Sequence, residues 1–239
     1  MLEQMENIIN IENKNLCNYI MFKLDKLENG FTESELNQIT EVVIDYNNED
    51  ESSFVFLKEL LKLKNLNAIT LRNGYIYNEN FNIFIKLNNL RKISFDNCEF
   101  ENADTITSLK LTDLSLINCK IENYNFILTF NSLEQLTIIN GKIEMEKINM
   151  LKNLKFLQLS YSNILDSVEL DIDSLEELYI DNTNIIKFNF INNLYNLKKL
   201  CLDEKQYKNN KIMFENLRNK FILILNKNIV GFGDEYNGL

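Results

Sequence analysis

The sequence predicts an α/β solenoid, in which short repeats stack along one axis and each repeat adds one strand to a parallel sheet. The stretch LTDLSLINCKI at residues 111–121 has leucine or isoleucine at its first, fourth, sixth and eleventh places and cysteine at its ninth. The same frame recurs along the chain at intervals of 21 to 27 residues, with incomplete first and last copies. The copies start at Ile39, Leu66, Leu90, Leu111, Leu133, Leu154, Leu175 and Leu197. A nearly constant period of this length indicates one structural unit per repeat.

Each repeat begins with an extended segment whose side chains alternate between two faces. Its first, fourth and sixth residues are apolar, so we expect them to point into the core. Strands of successive repeats then lie side by side in a parallel sheet. The ninth residue follows the strand, where a small polar side chain can bond the turning backbone. It is Asn47, Gly74, Cys98, Cys119, Gly141, Ser162 or Thr183.

The segments that connect the strands are predicted to contain only short helical or 3₁₀ turns. A repeat of about 22 residues leaves too few residues after the strand for a long helix. Aromatic residues such as Phe126 and Phe190 fall in these segments, and we expect them to fill the convex side of the core.

Residues 1–38 are predicted to form a helical cap, because an end repeat would otherwise expose its apolar core to water. Within residues 12–28, apolar side chains spaced by three and four residues indicate one face of a helix that ends at Gly30. This stripe consists of Leu16, Ile20, Leu24 and Leu27. Thr32 and Glu35 form a capping box that begins a second, short helix with the sequence TESELNQI.

Residues 39–205 form the predicted solenoid, and residues 206–239 are expected to close its C-terminal end. In this second cap, residues 209–219 have a helical pattern, and the apolar run FILIL at residues 221–225 predicts a last strand. The helical pattern places three apolar residues partly on one side: Ile212, Phe214 and Leu217. The Gly-rich end, GFGDEYNGL, is expected to be mobile.

Charge and composition restrict the partner class and the compartment. The chain of 239 residues has a formal net charge of −10, so nucleic acids would be repelled and a basic protein attracted at long range. No apolar run approaches the about 18 residues needed to span a bilayer, and the start MLEQMENIINIENKN lacks a secretory signal pattern. We therefore expect a cytoplasmic protein that binds neither membranes nor nucleic acids and is a monomer when free.

The sequence lacks the usual signals of catalysis and metal binding. It contains no histidine, which removes the commonest general base and the Ser-His-Asp and Cys-His arrangements. It also contains no P-loop and no GxGxxG motif. The acidic run at residues 47–51 lacks the glycine and the ligand spacing of an EF-hand, so we interpret it as a solvated loop. We predict no enzymatic activity, no cofactor and no metal.

The four cysteines are predicted to be reduced thiols. Cys98 and Cys119 hold the same place in adjacent repeats and would lie about one strand spacing, ~4.8 Å, apart, which permits a disulfide. We favour two buried thiols, because the same position takes serine or threonine in other repeats. Cys17 and Cys201 have no partner in the repeat frame and are interpreted as small packing residues.

The repeats LEELYIDNTNI, LKFLQLSYSNI and LTDLSLINCKI resemble the leucine-rich repeat family, in the bacterial class that includes the internalin-like proteins. The segment FTESELNQITEVVID at residues 31–45 also resembles the capped start of such arrays. The resemblance covers roughly residues 31–205. It implies a right-handed superhelix with a parallel sheet on its concave face, and a role in protein recognition. Unlike the internalins, the chain shows no recognisable signal peptide or wall-anchoring segment, which argues against a surface adhesin.

In a leucine-rich repeat the third, fifth and seventh residues face outward on the concave side, and the eighth lies at the end of the strand. Apolar residues have no folding reason to occupy these positions, yet the middle repeats place several there. We predict the partner-binding residues Asp96, Asp113, Ile117, Ile139, Phe156, Gln158, Tyr161, Tyr179 and Asp181. The apolar members are expected to converge into one patch, flanked by Asp96, Asp113, Glu177, Asp181 and Asp203. An apolar centre with a charged rim is typical of a protein interface.

Two alternatives to a binding surface remain open. The apolar residues could be scattered surface side chains, which any protein has, or a terminal segment could cover them. Asparagine also recurs at the eighth position, where we interpret it as structural because it repeats without regard to the patch. These residues are Asn73, Asn97, Asn118, Asn140 and Asn182.

Together these features predict a non-catalytic recognition protein whose concave face binds a basic, partly apolar protein. A specific form of this hypothesis is an immunity or inhibitor protein that blocks a basic toxin or nuclease, by analogy of charge and fold. The alternatives are a regulatory subunit that docks on an enzyme and controls it, and an internalin-like adhesin.

Overall fold

A nine-stranded parallel sheet runs along the molecule in a computed structural model. Its strands pair in chain order, each with the next. The structure describes residues 7–46, 57–101, 109–166, 169–217 and 219–226. The acidic run at 47–51 and the Gly-rich end at 231–239 lie outside these residues. The strands are β1 (Glu41–Asp45), β2 (Ala68–Arg72), β3 (Lys92–Asp96), β4 (Asp113–Ile117), β5 (Gln135–Ile139), β6 (Phe156–Gln158), β7 (Glu177–Tyr179), β8 (Lys199–Asp203) and β9 (Ile222–Asn226).

The strands follow the repeat frame. Each of the strands β1 to β8 begins at the third residue of its repeat, and neighbouring strands pair residue for residue, so that Leu114 lies level with Ile93 and Leu136. The first, fourth and sixth residues of all eight repeats are 0–4% exposed. A slip of one residue would turn these side chains outward, so their burial sets the register. The predicted leucine-rich repeat solenoid is confirmed.

The residue at the eighth position turns the chain off the sheet. The five asparagines at this position have φ between 52° and 60°, in the left-handed region that asparagine tolerates better than most residues. Their side chains also bond across repeats: Asn97 Nδ2 donates to Asn73 Oδ1 over 2.6 Å, and Asn140 Nδ2 to Asn118 Oδ1 over 3.3 Å. The structural interpretation of these asparagines is confirmed.

The convex side consists of short segments, as predicted. It contains α3 (Asn78–Phe84), α4 (Met145–Asn149) and 3₁₀ helices at Leu60–Lys62, Asn125–Thr129 and Asn189–Asn193. Phe126 and Phe190 are buried in the two longer 3₁₀ helices. Phe126 stacks on Phe100 with ring centroids 5.9 Å apart, so aromatic side chains bridge adjacent repeats. Two-residue strands also pair beyond the turn, Tyr75–Ile76 with Glu99–Phe100 and Lys142–Ile143 with Asn163–Ile164.

The N-terminal cap contains the helices α1 (Lys14–Leu24) and α2 (Glu33–Leu36). Helix α1 is shorter than predicted, because Asp25 adopts a left-handed conformation and its N–H bonds back to the last turn. Leu27 therefore lies outside the helix and is 94% exposed, so its predicted place on the apolar face is wrong. The capping box of Thr32 and Glu35 at the start of α2 is confirmed.

The C-terminal end contains α5 (Glu204–Asn209), α6 (Lys211–Asn216) and β9. Two short helices replace the single helix predicted over residues 209–219, because Asp203 caps a helix that begins directly after β8. Phe214 is buried, whereas Ile212 is exposed. The predicted last strand is confirmed, and it pairs in parallel with β8.

Candidate functional site

Three columns of side chains cover the outward face of the sheet, because the strands pair in register. The third and fifth residues of successive repeats form two of them and lie level with one another from strand to strand. The seventh residues form the third column only where the strands reach that far, from β1 to β5 and at β8. At the centre the third-residue column contains Asp113, Gln135, Phe156 and Glu177. The fifth-residue column contains Ser115, Thr137, Gln158 and Tyr179.

Phe156 and Tyr179 form an aromatic pair on this face. Their ring centroids are 5.3 Å apart with an interplanar angle of 37°, and both side chains are half-buried. Gln158 lies level with Tyr179 on the neighbouring strand. Burial, reinforced by the nearby Glu177 carboxylate, raises the pKa of Tyr179, whose hydroxyl donates to Glu177 Oε2 over 3.2 Å. The pair is therefore an oriented, neutral aromatic surface with one polar edge.

Ile117 and Ile139 form a second apolar pair. They lie level on β4 and β5 and are half-buried. Four residues of strand separate their column from that of Phe156, which corresponds to roughly 13 Å. Thr137 and Gln158 occupy the column between them. The structure thus divides the expected single patch into two apolar pairs separated by a polar strip.

Tyr161 replaces asparagine at the eighth position of its repeat. It has φ 61°, like the asparagines in the neighbouring repeats, and its side chain is exposed. Its backbone N–H donates to Asp181 O over 3.1 Å, which holds the turn in place. A left-handed conformation costs a residue with a large side chain about 1–2 kcal/mol. Tyr161 therefore occupies a position that backbone energetics alone would give to asparagine.

Three partly exposed acidic residues of the predicted rim are paired with cations. Asp113 binds Lys92 over 3.1 Å, and Asp96 lies 3.9 Å from Arg72. Glu177 on the other side of the centre binds Lys199 over 2.7 Å. The predicted acidic rim is therefore a border of alternating charges in the structure.

Asp181 and Asp203 do not lie on the exposed rim, so this part of the prediction is wrong. Asp181 is 2% exposed, because β7 ends at Tyr179 and Asp181 follows the strand in the turn. Its carboxylate accepts bonds from three side chains: Ser160 Oγ at 2.6 Å, Asn226 Nδ2 at 2.8 Å and Asn182 Nδ2 at 3.0 Å. Asp203 is also buried, where it caps α5 and accepts a bond from the N–H of Asn182 over 2.9 Å.

Two residues beyond the predicted set belong to the outward face. Ile222 and Ile224 on β9 extend the third-residue and fifth-residue columns, level with Lys199 and Cys201. The apolar run FILIL predicted the strand, but the strand lies outside the repeat frame, so the frame could not assign its outward side chains. Cys201 is nearly buried between strands, and this burial, with Asp181 close by, raises its pKa to about 12.

All four cysteines are free thiols, as predicted. Cys98 Sγ donates to Leu71 O and Cys119 Sγ to Phe95 O, each over 3.4 Å, so both thiols bond the backbone where the chain turns. Burial raises the pKa of Cys119 to about 12. The thiols are therefore protonated near neutral pH.

The part of the chain that the structure describes contains no group of three or more His, Cys, Asp or Glu side chains able to hold a metal ion. Among its helices, none combines the length and apolar character that crossing a bilayer requires. The centre of the outward face displays aromatic, aliphatic, hydroxyl and amide groups.

The repeat frame, the in-register parallel sheet and the short convex segments define a leucine-rich repeat solenoid. No protein-family model and no curated protein matches the chain. Solved structures do match. Internalin C2 of Listeria monocytogenes is 18% identical, with a TM-score of 0.64 over 92% of this chain and 98% of that chain.

Two further solved structures have the same fold over a smaller share of their own length. InlP of Listeria monocytogenes is 13% identical, with a TM-score of 0.60 over 80% of this chain and 57% of that chain. TLR13 in complex with ssRNA13 is 17% identical, with a TM-score of 0.54 over 85% of this chain and 31% of that chain. At these identities the likeness establishes the fold that the three proteins share with this chain.

Proposed function

We propose that this chain is a non-catalytic recognition module that binds a protein partner on its concave face. The Phe156–Tyr179 pair is the main support, because two aromatic rings 5.3 Å apart occupy strand positions that point away from the core. Folding requires no apolar side chain at these positions. Aromatic anchors bordered by hydroxyl and amide groups are typical of the centre of a protein interface.

The proposed partner is a basic protein with a projecting apolar segment. Asp96, Asp113 and Glu177 are each paired with a cation, so the rim by itself has little unbalanced negative charge. Attraction would come mainly from the net charge of −10 on the whole chain, which acts at long range and weakens with salt. The two apolar pairs would then bind the apolar segment at short range.

The specific form that we propose is a cytoplasmic immunity or inhibitor protein that blocks a basic toxin or nuclease. The acidic charge supports this form, since it would speed association with a basic target. A regulatory subunit that docks on an enzyme is the second candidate, and an internalin-like adhesin is the third. The RNA in the TLR13 complex suggests another ligand class, but a net charge of −10 opposes nucleic acid binding.

The test is to recover a partner by affinity purification and to measure its binding to Phe156→Ala and Tyr179→Ala. Each change should weaken binding by more than about 1 kcal/mol, while the melting temperature barely changes. Tyr195→Ala is the matched control, because Tyr195 is an exposed tyrosine that follows the 3₁₀ helix Asn189–Asn193 on the convex side. It should leave binding unchanged.

Two outcomes would contradict the proposal. Equal losses of stability and binding in Phe156→Ala and Tyr179→Ala would mean that the rings serve packing. An equal loss of binding in Tyr195→Ala would place the interface elsewhere. Given a confirmed partner, loss of its toxic activity on binding supports the immunity form, whereas a reversible change in an enzyme's rate supports the regulatory form.

A further inference from the structure

The two edges of the nine-stranded sheet are protected differently. At the N-terminal edge, helix α1 packs against β1, and Lys23 of the helix binds Glu41 of the strand over 2.7 Å. At the C-terminal edge, no described strand pairs with the outer side of β9. All five residues of β9 are at least partly exposed.

Strand β9 is apolar, exposed and uncharged. Its sequence is ILILN, and the exposed fractions are 63% for Ile222, 37% for Ile224 and 41% for Leu225. Edge strands of proteins that stay monomeric usually bear charges, prolines or bulges that prevent pairing. The opposite edge strand, β1, has Glu41 and Asp45, whereas β9 has none of these features.

The backbone of β9 also offers hydrogen bonds. The N–H of Ile222 donates to Lys198 O over 2.8 Å. The backbone N–H and C=O groups of Ile222, Ile224 and Asn226 therefore point toward β8. The N–H and C=O groups of Leu223 and Leu225 therefore point to the outer edge. They provide the donors and acceptors that a further strand would need.

We propose that β9 pairs antiparallel with β9 of a second copy of this chain, about a two-fold axis at Ile224. Leu223 would then bond Leu225 of the second copy, and Ile222 would lie opposite Asn226. A two-fold axis normal to the sheet keeps both concave faces on the same side. The two recognition surfaces would therefore join at the fifth-residue columns, which meet at Ile224, while each third-residue column ends in Ile222 opposite Asn226 of the second copy.

The charges favour a second copy of this chain as the molecule that pairs with the free edge of β9. A basic partner would find no carboxylate in β9, whereas ILILN can face itself without opposing like charges. The net charge of −10 on each copy opposes association, but at physiological salt repulsion beyond about 8 Å is largely screened. A monomer was expected from the sequence, and the exposed edge strand is the reason why a dimer is proposed instead.

The first test measures molar mass by light scattering at about 150 mM salt over a range of protein concentrations. The unaltered chain should approach the dimer mass as concentration rises. Ile224→Lys, which places two cations at the two-fold axis, should stay a monomer with an unchanged circular dichroism spectrum. Ile212→Lys, an exposed isoleucine on α6, should dimerise like the unaltered chain.

The second test does not depend on a disruptive change. Ile224→Cys is introduced together with Cys201→Ser, because Cys201 on β8 lies level with Ile224 and its thiol would otherwise compete for a disulfide within one chain. In this double variant, two thiols would face each other across the axis on residues whose Cα atoms lie about 4.5 Å apart, so mild oxidation should give a disulfide-linked dimer. Ile212→Cys, also with Cys201→Ser, should give none. A monomer at every concentration, a dimer that persists in Ile224→Lys, or equal cross-linking of the two cysteine variants would each overturn the proposal.

Discussion

At the scale of single residues, the turn after each strand explains which side chains the repeats use. In the six repeats from the second to the seventh, the eighth residue adopts a left-handed conformation, so asparagine recurs there, and its amide also bonds the neighbouring repeat. Tyr161 adopts the same left-handed conformation, although its side chain is not the asparagine amide that favours it. Backbone strain of this kind is often found at functional positions, which fits the place of Tyr161 beside the outward columns.

Replacing Tyr161 by asparagine should therefore stabilise the fold and weaken recognition. Because asparagine tolerates this conformation, we expect the free energy of unfolding to rise by up to about 1 kcal/mol in urea denaturation. Binding to the partner should fall. A loss of stability would show that packing of the tyrosine ring outweighs the backbone strain, and unchanged binding would remove Tyr161 from the proposed site.

Close packing at the turn also affects two titrating groups. Gly141 leaves room for Tyr124, whose hydroxyl oxygen would lie 2.7 Å from a Cβ at that position. Burial, with a smaller effect of Cys119, raises the pKa of Tyr124 to about 12. Burial likewise raises the pKa of Cys119 from 9.0 to about 12. Both groups keep their protons in the folded state at pH values where the unfolded chain begins to lose them.

The stability of the protein should consequently fall as pH rises from about 9 to about 12. In this range the unfolded state binds fewer protons at Cys119 than the folded state does. Each such group lowers the free energy of unfolding by at most about 1.4 kcal/mol per pH unit. Cys119→Ala should have a shallower decline of unfolding free energy across the same range. An identical slope in the two proteins would contradict the raised pKa of this thiol.

At the scale of elements, helix ends depend on local capping side chains. Asn13 Oδ1 accepts a bond from the N–H of Leu16 over 2.9 Å and begins α1, while Asp25 ends it. Thr32 and Glu35 exchange bonds of 3.1 and 2.8 Å at the start of α2. The capping box was predictable from four consecutive residues. The early end of α1 was not, because a left-handed aspartate gives no distinct signal in the sequence.

Replacing Thr32 by alanine should destabilise the N-terminal cap. The change removes the acceptor for the N–H of Glu35, and loss of an N-cap side chain costs about 1 kcal/mol. Thr40→Ala is the control, because Thr40 is exposed and precedes β1 without capping a helix. Urea denaturation of both variants measures the difference. Equal free energies of unfolding for Thr32→Ala and Thr40→Ala would show that the capping box does not stabilise the N-terminal helices.

At the scale of the whole molecule, one buried carboxylate connects the last repeats to the C-terminal end. Asp181 accepts bonds from Ser160 in the preceding repeat and from Asn226 on β9, which are 21 and 45 residues away in the sequence. In a solenoid each unit contacts mainly its neighbours. Strand β9 pairs with β8 of the last repeat, and the bond from Asn226 to Asp181 connects it to the preceding repeat as well.

Asp181→Ala should destabilise the protein by more than about 2 kcal/mol, because it leaves several polar groups without their acceptor. Asp96→Ala is the matched control, since Asp96 has the same place in its repeat but is half-exposed, and it should change stability by less than about 0.5 kcal/mol. Thermal and urea unfolding measure both effects. Similar losses in the two variants would refute the structural role of Asp181.

Local pattern was sufficient to predict the repeat frame, because burial alternates along each strand and returns with every repeat. It placed Phe156, Tyr179, Ile117 and Ile139 on the outward face and the asparagines at the turns. Only the folded chain showed that these residues form two pairs and that Asp181 and Asp203 are buried. Strand length and the partners of a carboxylate depend on segments distant in sequence, such as Ser160 and Asn226 around Asp181, and no periodic pattern encodes such contacts.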